Sequence, residues 1–243
     1  MALVAQHELA KELGETWRQV AFGDLAARLN PPSTFPCTFS QNAFRRGLLQ
    51  FSFVEAVDKQ GLHRAANDLR LYLEDCAGWD GRPVTAKPLV MIFSRNAAEF
   101  ETIEQYQAFG WRVLQSLHDE DSSPWPEGVS TIPEEPFWSF CFAGVQLFVN
   151  MSSPAHAKRK SRNLGRHFTF VINPRERFDR VAGDTREGRK VRNNIRRRVR
   201  AYDGLEHSPL LGSFQKGEIE WVQYGLPEEN TVFPNACPFR FRG

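Results

Sequence analysis

Apolar and polar positions alternate most clearly from Phe137 onward. Trp138, Phe140 and Phe142 face one way, Ser139 and Cys141 the other. Ala143-Gly144 allows a tight turn, and Val145, Leu147 and Val149 return on one face. The stretch therefore predicts a β-hairpin, with its second strand ending at Asn150-Met151-Ser152-Ser153-Pro154. Leu89 to Phe93 (LVMIF) is short and wholly apolar, which predicts a central strand covered on both faces. Leu48 to Val54 and Phe168 to Ile172 read as further strands, the latter closed by Asn173-Pro174. Glu218 to Tyr224 also alternates, with Ile219 and Trp221 on one face, and reads as a late strand.

Helical spacing takes over elsewhere. Ile103, Tyr106, Gly110, Val113, Leu114 and Leu117 make the buried stripe of a helix from Phe100 to Leu117. Leu62 to Leu73 places Leu62, Ala65, Ala66, Leu69 and Leu73 on one face. Residues 1 to 30 form two helical stretches broken near Gly14. Leu9 and Leu13 belong to the first, Trp17, Val20 and Leu25 to the second, and Asn30-Pro31-Pro32-Ser33 ends it. Glu187 to Tyr202 is a strongly basic helix with a narrow seam of Val191, Ile195, Val199 and Tyr202. Helices and strands interleave while several strands are hairpin-linked. The fold class expected is α+β: a single domain with a mixed β-sheet and flanking helices, residues 1–34 a helical segment ahead of a unit at 35–243.

Composition changes this picture in two ways. No apolar run reaches the roughly 20 residues that cross a bilayer, and the N-terminus lacks a signal peptide's basic and apolar regions, so the expected location is the cytoplasm. Cys37, Cys76, Cys141 and Cys237 lack metal-motif spacing and are expected reduced. The formal net charge of +2 conceals an asymmetry: His156 to Arg200 holds 16 Lys and Arg against 4 Asp and Glu, the remainder 15 against 25. That polarity points to an anionic ligand or partner; its plainer explanation is a solvated basic helix.

Candidate chemistry gathers just past the hairpin. His156 is followed by Lys158, Arg159, Lys160 and Arg162. A metal-competent imidazole and four cations beside aromatic side chains suit a flat, apolar, dianionic ligand, and equally a polyanion such as nucleic acid. Arg159 and Arg162 lie three and six residues beyond His156, where they could share its face and grip carboxylates. Trp138, Phe140, Phe142 and Phe148 are the wall candidates; an isolated histidine in such a turn is otherwise a hydrogen-bonding residue. Arg175, Glu176 and Asp179, with Arg177, form a polar rim whose carboxylates could meet a guanidine-type cation, against the plainer reading of a salt-bridged loop. His167 is the second imidazole. Cys37, framed by Pro36 and Thr38, reads first as a buried structural thiol, and Asp119, Glu120 and Asp121 as a solvated helix end. Nucleotide-binding, P-loop, GxSxG and HExxH motifs are missing.

A set of motifs in one order resembles the YqcI/YcgG family of bacterial proteins. The matching pieces are FPCTFSQNAF near residue 35, WRVLQSLHDEDSSPWP from Trp111 and FWSFCFAGVQLFVNMSSPAH from Phe137. KRKSRNLG from Lys158, FVINPRERFD from Phe170, IRRRVRAYDG from Ile195, EWVQYGLP from Glu220 and the final CPFRF complete the set. The resemblance implies a haem-dependent oxygenase that hydroxylates or further oxidises a nitrogen of an amino acid or guanidine compound. It would hold haem b (protohaem), use O2 as co-substrate, and need an electron donor and a small amine or guanidine substrate. At one place the chain departs from the pathway enzymes, with Ser153-Pro154 standing where they carry His-Pro and His156 two residues further on.

On that resemblance His156 becomes the expected iron ligand, with Arg159 and Arg162 on the propionates. His167, Cys37 and Cys141 are the alternatives, since imidazole and thiolate both serve as axial donors. Two rivals remain. One is a nucleic-acid-binding protein using Arg189 to Arg200 against phosphates, although no reading motif supports it. The other is a catalytically silent protein whose basic helix docks an acidic partner.

Overall fold

The computed structural model describes residues 3–11, 14–231 and 234–242. Its strands are β1 (Val4–Ala5), β2 (Gln50–Val54), β3 (Leu89–Phe93), β4 (Phe140–Phe142), β5 (Val145–Ser152) and β6 (Thr169–Pro174). They form one sheet in the order β1-β2-β3-β6-β5-β4. Only β2 and β3 run parallel, linked by a crossover through helix α4 (Lys59–Cys76); the other pairs are antiparallel. The fold is thus α+β with a mixed sheet. Among the described residues no helix is long and apolar enough to cross a membrane.

Alternation along the strands sorts side chains onto two faces. Leu89, Met91 and Phe93 of β3, Leu147, Val149 and Met151 of β5, and Phe170 and Ile172 of β6 pack into one core with α4 and α5 (Ile103–Asp119). A Cβ at Gly110 would come within 2.7 Å of Sδ of Met151, so α5 lies this close to β5 only because residue 110 carries no side chain. Phe51, Phe53, Val90 and Ile92 point the other way, toward α2 (Trp17–Leu29) and α3 (Thr38–Arg45). LVMIF is covered on both faces, as its composition predicts. In the hairpin, Ala143 (φ 50°) and Gly144 (φ 72°) both take left-handed backbone, the geometry of a two-residue turn matched to strand twist.

The segment after Cys37, for which the pattern predicts no element, is the helix α3. Two expectations change. Trp221–Gln223 forms a 3-10 turn rather than a strand: Trp221 and Tyr224, three residues apart, both bury against Trp111 of α5, a spacing a strand cannot satisfy. Arg175 to Asp179 is not a loop; it opens the short helix α6 (Glu176–Ala182), which leads into the basic α7 (Arg186–Asp203). Of the first predicted stretch, Gln6–Leu9 is helical (α1) among the described residues, and Leu13 falls outside them.

Candidate functional site

The sheet face turned toward α2 and α3 is not filled. It floors a cavity of about 380 Å³, within the range of small-molecule sites. Phe148, Asn150 and Ser152 of β5 and Val90 of β3 form the floor. Leu25 and Leu29 of α2, Phe39 of α3, Phe178 of α6, and Ile195 and Val199 of α7 supply apolar walls. The pleat decides which wall candidates take part. Phe148 points into the cavity, whereas Trp138, Phe140 and Phe142 lie in the core on the opposite side with α5 and Phe239.

Arginines converge on this space from three directions. Arg159 is 1% exposed; its Nε donates to the Pro227 carbonyl (2.8 Å) and its Nη2 to Asn230 Oδ1 (2.8 Å), while Nη1 has no partner. Arg162 donates to the Tyr224 and Gln223 carbonyls at 3.2 and 3.1 Å. Burial works against the charge of both, so a nearby anion would relieve them. Arg177 donates to the Lys87 carbonyl (2.7 Å) and the Tyr72 hydroxyl (3.0 Å), again leaving its Nε unpaired. From α7, Arg192 donates to the Gly183 carbonyl (2.8 Å) and Arg196 to that of Leu211 (2.5 Å). Arg198 donates to the Phe35 and Pro36 carbonyls at 2.8 and 3.0 Å, bracing the segment that carries Cys37. Much of the arginine in α7 is therefore turned inward, which removes it from any phosphate-reading face.

Cys37 is half-buried on the cavity wall and not the sealed thiol its apolar neighbours predict. It caps α3, its sulfur accepting the Ser40 N–H at 3.5 Å, where the helix end favours negative charge. Among the described residues lining the cavity it is the one side chain of the His, Cys, Met or Tyr types that ligate haem iron. His156 is elsewhere: its ring is 2% exposed, Nε2 donates to the Leu226 carbonyl (2.9 Å), and Nδ1 has no partner. Burial and Arg162 hold its pKa below the usual imidazole range, so it is neutral and props Leu226, itself a cavity residue. His167 stands beside Trp17 and Asp24 of α2, on the cavity side of the sheet but outside the cavity lining, and Cys141 is sealed in β4, where burial raises its thiol far above its ordinary value.

The expected polar rim divides. Glu176 is exposed on α6 and does not reach the cavity, but Arg175 and Asp179 line it. Arg175 meets Asp179 Oδ1 (3.2 Å) and Glu220 Oε2 (2.9 Å) and lies 4.0 Å from the Phe214 ring centroid. Glu220 was hidden in sequence by the apparent strand around it. Burial pushes its carboxyl up to about 8, with Arg175 pulling the other way and Tyr224 OH donating at 3.2 Å. The acidic trio at the end of α5 is paired: Asp119 with Arg242, Glu120 with His63, and Asp121 with the Ala143 N–H. Among the described residues no group of carboxylates, thiols and imidazoles is arranged to hold a metal ion.

Comparison with known proteins gives a consistent set of relatives. The description of the YqcI/YcgG family matches residues 25–240. A Streptomyces lavendulae protein named "Putative N(omega)-hydroxy-L-arginine synthase DcsA" is 53% identical over 241 residues, covering 99% of this chain and 90% of the relative. Two Bacillus subtilis (strain 168) proteins, YcgG and YqcI, both named as uncharacterized, are 33% and 31% identical, each over 96% of this chain and 91% of its own length. No solved structure matches.

Proposed function

The chain belongs to the YqcI/YcgG family, and on that premise we propose that it N-hydroxylates an arginine-type guanidine compound, using protohaem and dioxygen in the cavity floored by β5. The name of the Streptomyces lavendulae relative supports the substrate class and the reaction. The observation that carries the cofactor is the donor set of the cavity: a single ligating side chain, Cys37, amid apolar walls and buried guanidiniums. These residues fit haem. Cys37 would hold the iron, while Arg159, buried with an unpaired nitrogen beside Arg162, would receive a propionate carboxylate.

When bound, the haem supplies activation of dioxygen, with electrons from a separate donor. The chain's own residues do the rest. The Ser40 N–H donates to the Cys37 sulfur at the start of α3, and Arg198 fixes the preceding backbone. Leu25, Leu29, Phe39, Phe148 and Val199 exclude water, which strengthens every charge contact inside. Asp179 offers a carboxylate to the cationic substrate. Glu220 holds a proton near neutrality within the same cavity. The test is direct: haem-loaded protein is supplied with L-arginine, dioxygen and a reductant, and the products are read by mass spectrometry. An arginine bearing one added oxygen on a guanidino nitrogen is expected; haem binding without any oxygenated guanidine product would refute the reading.

A further inference from the structure

The chain's own Arg175 shows where a guanidinium fits. Its group lies between two carboxylates, Asp179 at 3.2 Å and Glu220 at 2.9 Å, with its centre 4.0 Å from the Phe214 ring centroid and 6.0 Å from that of Phe178. Two acids and an aromatic face are what a planar, delocalised cation needs: charge, paired acceptors and a stacking surface. Every member of this set lines the cavity floored by β5, so the arrangement opens onto ligand space rather than being sealed in the core. Arg175 is also imperfectly held. Its Nε approaches Glu220 without an aligned hydrogen bond and is left unpaired in a buried setting. Gln215 also bonds the Asp179 carboxylate, which holds that acid in place when Arg175 leaves.

We propose that Asp179, Glu220 and Phe214 form a guanidinium subsite that Arg175 fills until the guanidinium of an arginine-type ligand displaces it. This rests on the substrate class proposed above and adds how that substrate is recognised and what it must compete with. Exchange of one guanidinium for another keeps Asp179 paired and leaves Glu220 a hydrogen-bond acceptor, so no buried carboxylate is stranded. The displaced side chain turns to the carboxylate that an arginine-type amino acid carries, so its own charge stays paired. Arg175 is then a resident competitor that lowers apparent affinity and rejects ligands unable to replace its charge.

The experiment is calorimetric titration of L-arginine and neutral L-citrulline into purified wild-type protein, Arg175→Ala and Arg175→Ala/Asp179→Asn. Arg175→Ala should bind arginine at least about ten-fold more tightly than wild type, citrulline should gain nothing, and the double variant should lose the gain. Equal or weaker arginine binding by Arg175→Ala, or a matching gain for citrulline, would overturn the proposal. Should Arg175→Ala not fold, Asp179→Asn alone decides. Arginine affinity falling about ten-fold with citrulline unchanged supports the subsite, and unchanged arginine affinity refutes it. Because binding is read without turnover, a protein that oxygenates arginine yet fails this test loses only the subsite; one that passes but yields no oxygenated product loses only the reaction.

Discussion

The carboxyl of Glu220 sits 2% exposed between Arg175 and the Tyr224 hydroxyl, and its proton affinity follows from that placement. The folded protein keeps the proton up to about pH 8, whereas the unfolded chain releases it near 4.5. Between those values the fold binds the extra proton, so this residue makes the protein less stable as pH rises through the window. Gln reproduces the neutral acid. Glu220→Gln should therefore stay within about 1 kcal/mol of wild type near pH 5 and become the more stable of the two near pH 8, by urea denaturation at both values. A difference independent of pH would contradict this. Sequence could not reveal Glu220, because its chemistry depends on burial against residues more than 40 positions away, such as Arg175. The same holds for Cys37: its apolar neighbours in the chain are real, but tertiary packing opens one side of it onto the cavity.

Helix α7 carries two populations of arginine, separated by its periodicity. Arg192, Arg196 and Arg198 turn inward to backbone carbonyls, while Arg186, Lys190 and Arg197 are exposed along one stripe. Replacing Arg198 by Ala strands the Phe35 and Pro36 carbonyls and should cost about 1–3 kcal/mol, whereas Arg197→Ala should stay within about 0.5 kcal/mol. Thermal or chemical denaturation of both variants checks the contrast, and equal costs would contradict it. Counting charge located this helix but could not tell its inner arginines from its outer ones. The hairpin at Phe140–Ser152, the buried β3 and the stripe of α5 were legible because each obeys a single period throughout. The segments at 38–45 and 221–223 were not, since a capping cysteine and a three-residue aromatic spacing are local devices that alternation obscures.

Across the whole molecule, one sheet separates two unlike halves. The face against α4 and α5 is a close-packed core, and the face against α2, α3 and α7 keeps a cavity ringed by cations. The hairpin's aromatic side chains contribute mostly to the first; of Trp138, Phe140, Phe142 and Phe148, only Phe148 faces the cavity. The mixed α+β architecture followed from element order; which face stays open did not, because that depends on how far helices stand off the sheet. Titration of haemin into purified wild-type, Cys37→Ala and His156→Ala proteins, followed by absorption, tests the account most directly. Wild type and His156→Ala should both develop the spectrum of thiolate-ligated haem, and Cys37→Ala should lose it. No haem uptake by wild type, or an unchanged spectrum in Cys37→Ala, would contradict the account.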